Sequence, residues 1–325
     1  MSLFISLYNK TASLKKNSDK VVSRSFADYS FAKLRRIVEL GDSAIPYDKP
    51  DIAEKRLTIR RLYRNNFRLH LFHIVTPSPW PFLVGFAMVL FGVGAGLSLH
   101  RFEMGPSLFW VGFFFLSAFI YLWFRDIVRE GTYQGAHTSK VQSHLRLGII
   151  LFILSEVMFF LSFFWAFFHS SLAPCIEIGS IWPPVGISVL DPWSIPLANT
   201  VILLYSGISV TYAHHAIIAG MRSEASNGFL LTIGAAIAFV ALQFLEYTNA
   251  PFSISDGIYG STFFLTTGFH GFHVFVGGFW LTVCYIRHLK YHFTTTHHIG
   301  FEGAAWYWHF VDVVWLFLFI CFSTS

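Results

Sequence analysis

An all-α membrane protein with seven transmembrane helices is the fold this sequence predicts, on three observations. Charged residues make up 13% of the 325, about half of the ~25% usual in soluble domains, while 54% are hydrophobic. The charge is also unevenly spread: most Lys and Arg precede Pro77, in SLKKNSDK, FAKLRRIVEL and EKRLTIRRLYRNNFR, and the remainder is largely apolar. Finally, seven apolar runs approach the roughly 20 residues that a helix needs to cross a bilayer.

Residues 80–99 (WPFLVGFAMVLFGVGAGLSL) end at the turn-forming HRFEMG. Residues 106–124 lead into RDIVREGTYQGAHTSK, and 145–168 into the long PCIEIGSIWPPVGISVLDPWSIP. Residues 196–218 and 228–249 flank MRSEASN; NAPFSISDG then introduces 257–286, a run long enough to lie tilted. HLKYHFTTTHHIG precedes the last run, 303–322. The chain accordingly divides into a basic N-terminal extension, 1–76, and a seven-helix transmembrane domain, 77–325. No short apolar region in the extension ends at a small-residue cleavage site, so a secretory signal is not expected. Its basic, Ser-containing start is like a transit peptide, but Asp19 and Asp28 count against that.

Orientation follows from the excess of Lys and Arg on the cytoplasm-like side of a membrane. With the extension on that side, the connectors returning to it carry Arg125, Arg129, Lys140, Arg222, Arg287 and Lys290. The opposite face has Arg101 alone, and its long connector carries the acids Glu177 and Asp191. Seven spans place the C-terminus opposite the N-terminus.

Glu156 falls near the centre of the third span, where an ionised carboxylate is costly and polar groups turn toward the bundle interior. Two readings stand side by side: a proton-exchanging group beside a pathway, or a neutral acid that hydrogen-bonds one helix to another. Ser155 and Ser162 are the nearest groups able to satisfy it. Glu246, Asp256 and Asp312 are further acids in or near spans, and His309 stands one turn from Asp312.

Histidines cluster toward the basic face: His214-His215, His270 and His273, His292, His297-His298 and His309. His270 and His273 share a helix face, but the pairs do not form the histidine boxes of membrane di-iron enzymes, and no metal ligand set is expected. The cations beside them, with Glu130 and His137, suit anionic lipid headgroups or merely set topology. Trp80, Trp110, Trp123, Trp165, Trp182, Trp306 and Trp308 lie near span ends and suit an interfacial belt. Cys175, Cys284 and Cys321 lack pairing or metal spacing and read as packed thiols. There is no P-loop, nucleophile elbow, haem-attachment motif or dinucleotide loop, and nothing resembles a nucleic-acid recognition fold, so nucleic acid is not an expected partner.

From TPSPWPF onward the chain resembles the subunit III family of mitochondrial cytochrome c oxidase. The resemblance is carried by WFRDIVREGTYQGAHT, ILFILSEVMFF, FFWAFFHSSLAP, WPPVGI, TYAHHAI, EYTNAPFSISDGIYGSTFFLTTGFHGFHV and HHIGFEGAAWYWHFVDVVWLFLF, and covers about the last three-quarters of the sequence. It implies a non-catalytic core subunit beside the redox-active subunit I and other oxidase subunits, with haem and copper held by those partners and none by this chain. It also implies that the first two helices splay from the other five around a lipid-holding cleft. Positions matching the family's phospholipid contacts are Arg129, Glu130, His137, Trp165 and Arg287, with Lys290 and His292 as further candidates; the ligands would be phosphatidylglycerol, phosphatidylethanolamine or cardiolipin. The family's midplane carboxylate falls on Glu156, and its role is to sustain proton uptake and turnover stability. The implied location is the mitochondrial inner membrane, N-terminus in the matrix and C-terminus in the intermembrane space.

Two features depart from the family. Ala136 stands in place of the first of two adjacent histidines usual there, and the basic extension has no counterpart in the family's short N-terminus. The extension is expected to dock lineage-specific subunits. The competing classes are a histidine-box membrane metalloenzyme and an independent transporter; no internal repeat supports the latter.

Overall fold

The computed structural model describes residues 71–323, all within the His70–Ser325 unit of the chain. The expected N-terminal extension, up to residue 70, lies outside the described residues. The helices are α1 (Trp80–Leu99), α2 (Gly105–Thr132), α3 (Ser139–Leu172), α4 (Ile195–Ile218), α5 (Arg222–Asn249), α6 (Gly257–Leu289) and α7 (Ile299–Ser323). All seven are long and apolar enough to span a membrane, and there is no strand among the described residues.

The helices begin where the chain supplies a start signal. Pro81, Pro106 and Pro196 occupy the first turns of α1, α2 and α4, where a missing N–H costs nothing. Thr138 caps α3, its Oγ1 accepting from Val141 N at 3.4 Å. Several helices run past the apolar segments that predict them. α2 continues through Arg125–Glu130 to Thr132, and α5 begins at Arg222 rather than after the polar MRSEASN. Neither polar stretch contains a breaker; the chain turns instead at Gly135 and Gly220, whose φ values are +59° and +74°.

α4, α5, α6 and α7 close a four-helix ring, and α3 leans on α6 and α7. α1 and α2 pack on each other, and neither shares a helix–helix contact with the other five. The core fills the ring with Leu203, Val210, Phe229, Phe239, Val274, Leu281, Phe301 and Trp308. Lipid and protein interior are equally apolar, so association relies on close packing and interhelical hydrogen bonds. Trp308 Nε1 donates to Ser206 Oγ at 2.8 Å, Trp315 Nε1 to Thr200 Oγ1 at 2.9 Å, and the Ser209 and Thr232 hydroxyls pair at 2.7 Å. Trp308 is therefore fully buried and not part of an interfacial belt. Cys284 is packed as expected, whereas Cys175 is exposed.

Candidate functional site: a mid-helix carboxyl–histidine pair and a basic cluster

Glu156 stands at the middle of α3 and His273 at the middle of α6, so the two meet at one depth. Glu156 Oε2 lies 2.8 Å from His273 Nε2. On the other side of the ring, His273 Nδ1 lies 2.6 Å from the Phe269 carbonyl oxygen. That oxygen can only accept, so Nδ1 carries a hydrogen. Nε2 then either accepts the hydrogen of a neutral carboxyl, or donates from an imidazolium to a carboxylate. Both arrangements have zero net charge and both hold one transferable proton between the side chains. Phe160 and Tyr307 flank the imidazole, with ring centroids 5.0 and 6.1 Å away.

Ser155 and Ser162, the expected partners of Glu156, do not reach it. Each hydroxyl donates to its own helix at 2.6 Å, to the carbonyls of Phe152 and Phe159. A serine in a helix finds the preceding turn's carbonyl closer than a glutamate beside it. His309 and Asp312 do face each other, but at 3.8 Å, and His309 Nε2 lies closer to Thr211 Oγ1, at 3.2 Å.

Most of the expected lipid-contact residues gather at one end of the bundle. Tyr133, just past α2, meets His292 of the α6–α7 link, with its hydroxyl 3.1 Å from Nε2. His137 and His297 stack edge to face at 5.6 Å across the same two links. The Arg287 guanidinium lies 4.7 Å over the Phe293 ring. Its Nε and His292 Nδ1 are buried without a hydrogen-bond partner among the described residues. Burial holds the His292 pKa below the ordinary imidazole value, and the charges of Arg287 and Lys290 act in the same direction. His297 is lowered for the same first reason, then by Arg287. Arg129 and Lys290 are exposed at this end, while Glu130 pairs with His73 at 3.3 Å. Trp165 is not brought to the cluster: it is exposed on α3, roughly 40 Å along the helix from Ser139.

Sequence reasoning missed the partnership of Glu156 with His273 and the convergence of His214, His298, Glu302 and Arg146 beside the basic end. The usable signal for the first was equal depth, since each residue marks the midpoint of its helix.

These features define a polytopic helical membrane protein with a carboxyl–histidine hydrogen bond between two of its helices at mid-depth. Residues 70–324 match the family described as cytochrome c oxidase subunit III, and the chain belongs to that family. Subunit 3 of cytochrome c oxidase from Prototheca wickerhamii is 58% identical over 254 residues, 78% of this chain and 97% of the relative. The Marchantia polymorpha and Arabidopsis thaliana proteins of the same name are 58% and 56% identical, each over 77% of this chain and 95% of their own length. The family match begins at residue 70, leaving most of the basic extension outside it. The chain is thus a membrane subunit of the cytochrome c oxidase complex, an oxidoreductase.

Proposed function

We propose that this chain is a non-catalytic core subunit that sustains oxygen reduction and proton pumping by the redox-active subunit of the oxidase, whose haem and copper lie in partner chains. The single observation that carries the reading is the Glu156–His273 contact of 2.8 Å, with the second ring nitrogen committed to Phe269. A pair that holds one proton without net charge resides in a low-dielectric bundle at little cost and exchanges that proton without creating an isolated buried ion. Its role is to support proton uptake and the durability of turnover. Replacing Glu156 by Gln keeps a hydrogen-bonding side chain but removes the exchangeable carboxyl. The Glu156→Gln complex is expected to assemble normally and to lose activity faster during sustained turnover. Unchanged turnover rate, pumping and inactivation lifetime would leave Glu156 with a packing role alone.

The gap between the α1–α2 hairpin and the other helices is the lipid-holding cleft of the proposal. The unpartnered nitrogens of Arg287 and His292 favour a phospholipid headgroup there, with Arg129, His137 and Lys290 adding charge or donors. Glu130 orients His73, and Trp165 contacts acyl chains at the far end. Arg287→Ala is expected to lower retention of anionic phospholipid, measured by mass spectrometry of the purified complex; identical lipid occupancy rejects the site. The inner mitochondrial membrane, with the basic end toward the matrix, is the location this reading requires. The basic extension, 1–76, is assigned a docking role for additional subunits.

A further inference from the structure

Three side chains that the proton pair does not use converge near the basic end. His214 lies in the last turns of α4, His298 immediately precedes α7, and Glu302 occupies the first turn of α7. His214 Nε2 and His298 Nε2 are 3.2 Å apart, and His298 Nε2 is 3.5 Å from Glu302 Oε1. All three candidate ligand atoms lie within 4.8 Å of one another. His298 and Glu302 are buried and His214 is half-buried. We propose that His214, His298 and Glu302 form a binding site for a divalent transition-metal ion of the Zn²⁺ class, with water completing the tetrahedron.

The spacing is the first argument. Nitrogen and oxygen ligands at ~2.0–2.2 Å from a tetrahedral zinc stand about 3.3–3.6 Å from one another. The separations of 3.2 and 3.5 Å are close to that range, so the ion enters with little rearrangement of His298. Orientation is the second. His298 Nδ1 lies 3.0 Å from the Thr294 carbonyl oxygen, which makes Nδ1 the donor. This is the outer-shell bond that fixes a metal-ligating imidazole, and in the neutral ring it turns the Nε2 lone pair toward the other two ligands.

The third argument concerns the carboxylate. Arg146 Nε donates to Glu302 Oε2 at 2.6 Å, and a terminal nitrogen donates to Oε1 at 3.0 Å. The guanidinium thus pairs with both carboxylate oxygens, and the longer contact leaves a lone pair of Oε1 facing the imidazoles. A neutral His298 then accepts from His214 while its lone pair faces the Oε1 carboxylate oxygen, with no hydrogen between them. A cation at the shared point resolves that conflict. On binding, the His214 Nε2 hydrogen moves to Nδ1, and three lone pairs are donated to the ion. Two imidazoles and one carboxylate suit zinc, cobalt or nickel, not the all-oxygen shells of calcium or magnesium. An occupied site would clamp α4 to the start of α7.

The test uses purified oxidase complex, wild type and carrying His214→Gln or His298→Gln, matched by haem absorbance to establish assembly. Each is equilibrated with micromolar Zn²⁺, desalted and analysed by atomic emission. The wild type is expected to retain about one zinc more per complex than either variant. Co²⁺ is expected to give visible ligand-field absorption that both variants lack. Equal zinc in all three complexes overturns the proposal. Where the variants do not assemble, maps of the wild-type complex with and without Zn²⁺ decide: new density between the two Nε2 atoms supports the site. Unchanged maps overturn it.

Discussion

His273 has only one way to satisfy both ring nitrogens: the Phe269 carbonyl takes the Nδ1 hydrogen, and Glu156 completes Nε2. The pair is therefore a unit, and its members are not equivalent when removed singly. His273→Leu leaves the half-buried Glu156 carboxyl without its imidazole partner, at a cost of up to about 1–3 kcal/mol for a polar group left unsatisfied. Replacing both members by leucine removes the orphan. The double variant Glu156→Leu/His273→Leu is expected to be less destabilised than the sum of the single changes, with a coupling of roughly 0.5–3 kcal/mol. Thermal dissociation of the four complexes of the cycle measures it, and strict additivity would show that the contact contributes nothing. The same cycle separates stability from function: the double variant regains thermal resistance but not the lifetime under turnover that depends on a labile proton.

At the scale of helices, the α1–α2 hairpin depends on how closely two backbones approach. A Cβ at Gly94 would run into the backbone of Phe109, and one at Gly112 into that of Phe91. Membrane helices use such small residues because packing, not hydrophobicity, holds them together. Gly112→Leu is expected to destabilise the hairpin by about 1–3 kcal/mol, as overpacking does. Gly96→Leu serves as the control, because an added Cβ there meets nothing within 4 Å. Limited proteolysis between α1 and α2 distinguishes them, and equal cleavage rates would refute the packing role. The seven spans themselves were legible because each apolar run must match the bilayer, a constraint local to the sequence. Helix ends were not legible where Arg125–Glu130 and Arg222–Asn227 continue a helix without a breaker. Glu156 could be singled out by its depth, but its partner is 117 residues away and no local spacing points to it. Trp308 misled for a related reason: its position in the chain suggested a boundary, whereas Ser206 on α4 offers its indole a buried acceptor.

Across the whole described unit, the α1–α2 hairpin meets the five-helix body through links rather than through helix faces. Tyr133 with His292, and His137 with His297, make the connection. This gives the junction a defined response to acid. Burial and the neighbouring cations lower the His292 pKa from 6.5, and His297 moves in the same direction. Below pH 6.5 the unfolded link therefore binds more protons than the folded one. Their contribution to stability is complete above that value and is lost as pH falls through the lower folded pKa values. The Tyr133 hydroxyl and His292 Nε2 share one hydrogen bond, donated by the hydroxyl to a bare nitrogen or by a protonated ring to the phenol oxygen, so acid acts by placing a charge beside Arg287 and Lys290. Amide exchange over residues 290–297, corrected for its intrinsic pH dependence, is expected to accelerate on going from about pH 7.5 to about pH 5.5. The acceleration should reach about tenfold at most, the equivalent of about 1.4 kcal/mol. Tyr133→Phe, which removes the bond in either protonation state, should exchange faster than wild type at neutral pH as well. An anionic headgroup beside Arg287 would offset the cations that depress His292, so delipidated complex should loosen at a higher pH than lipid-replete complex. Identical exchange profiles with and without lipid would place the headgroup away from His292, even if Arg287 still retained it.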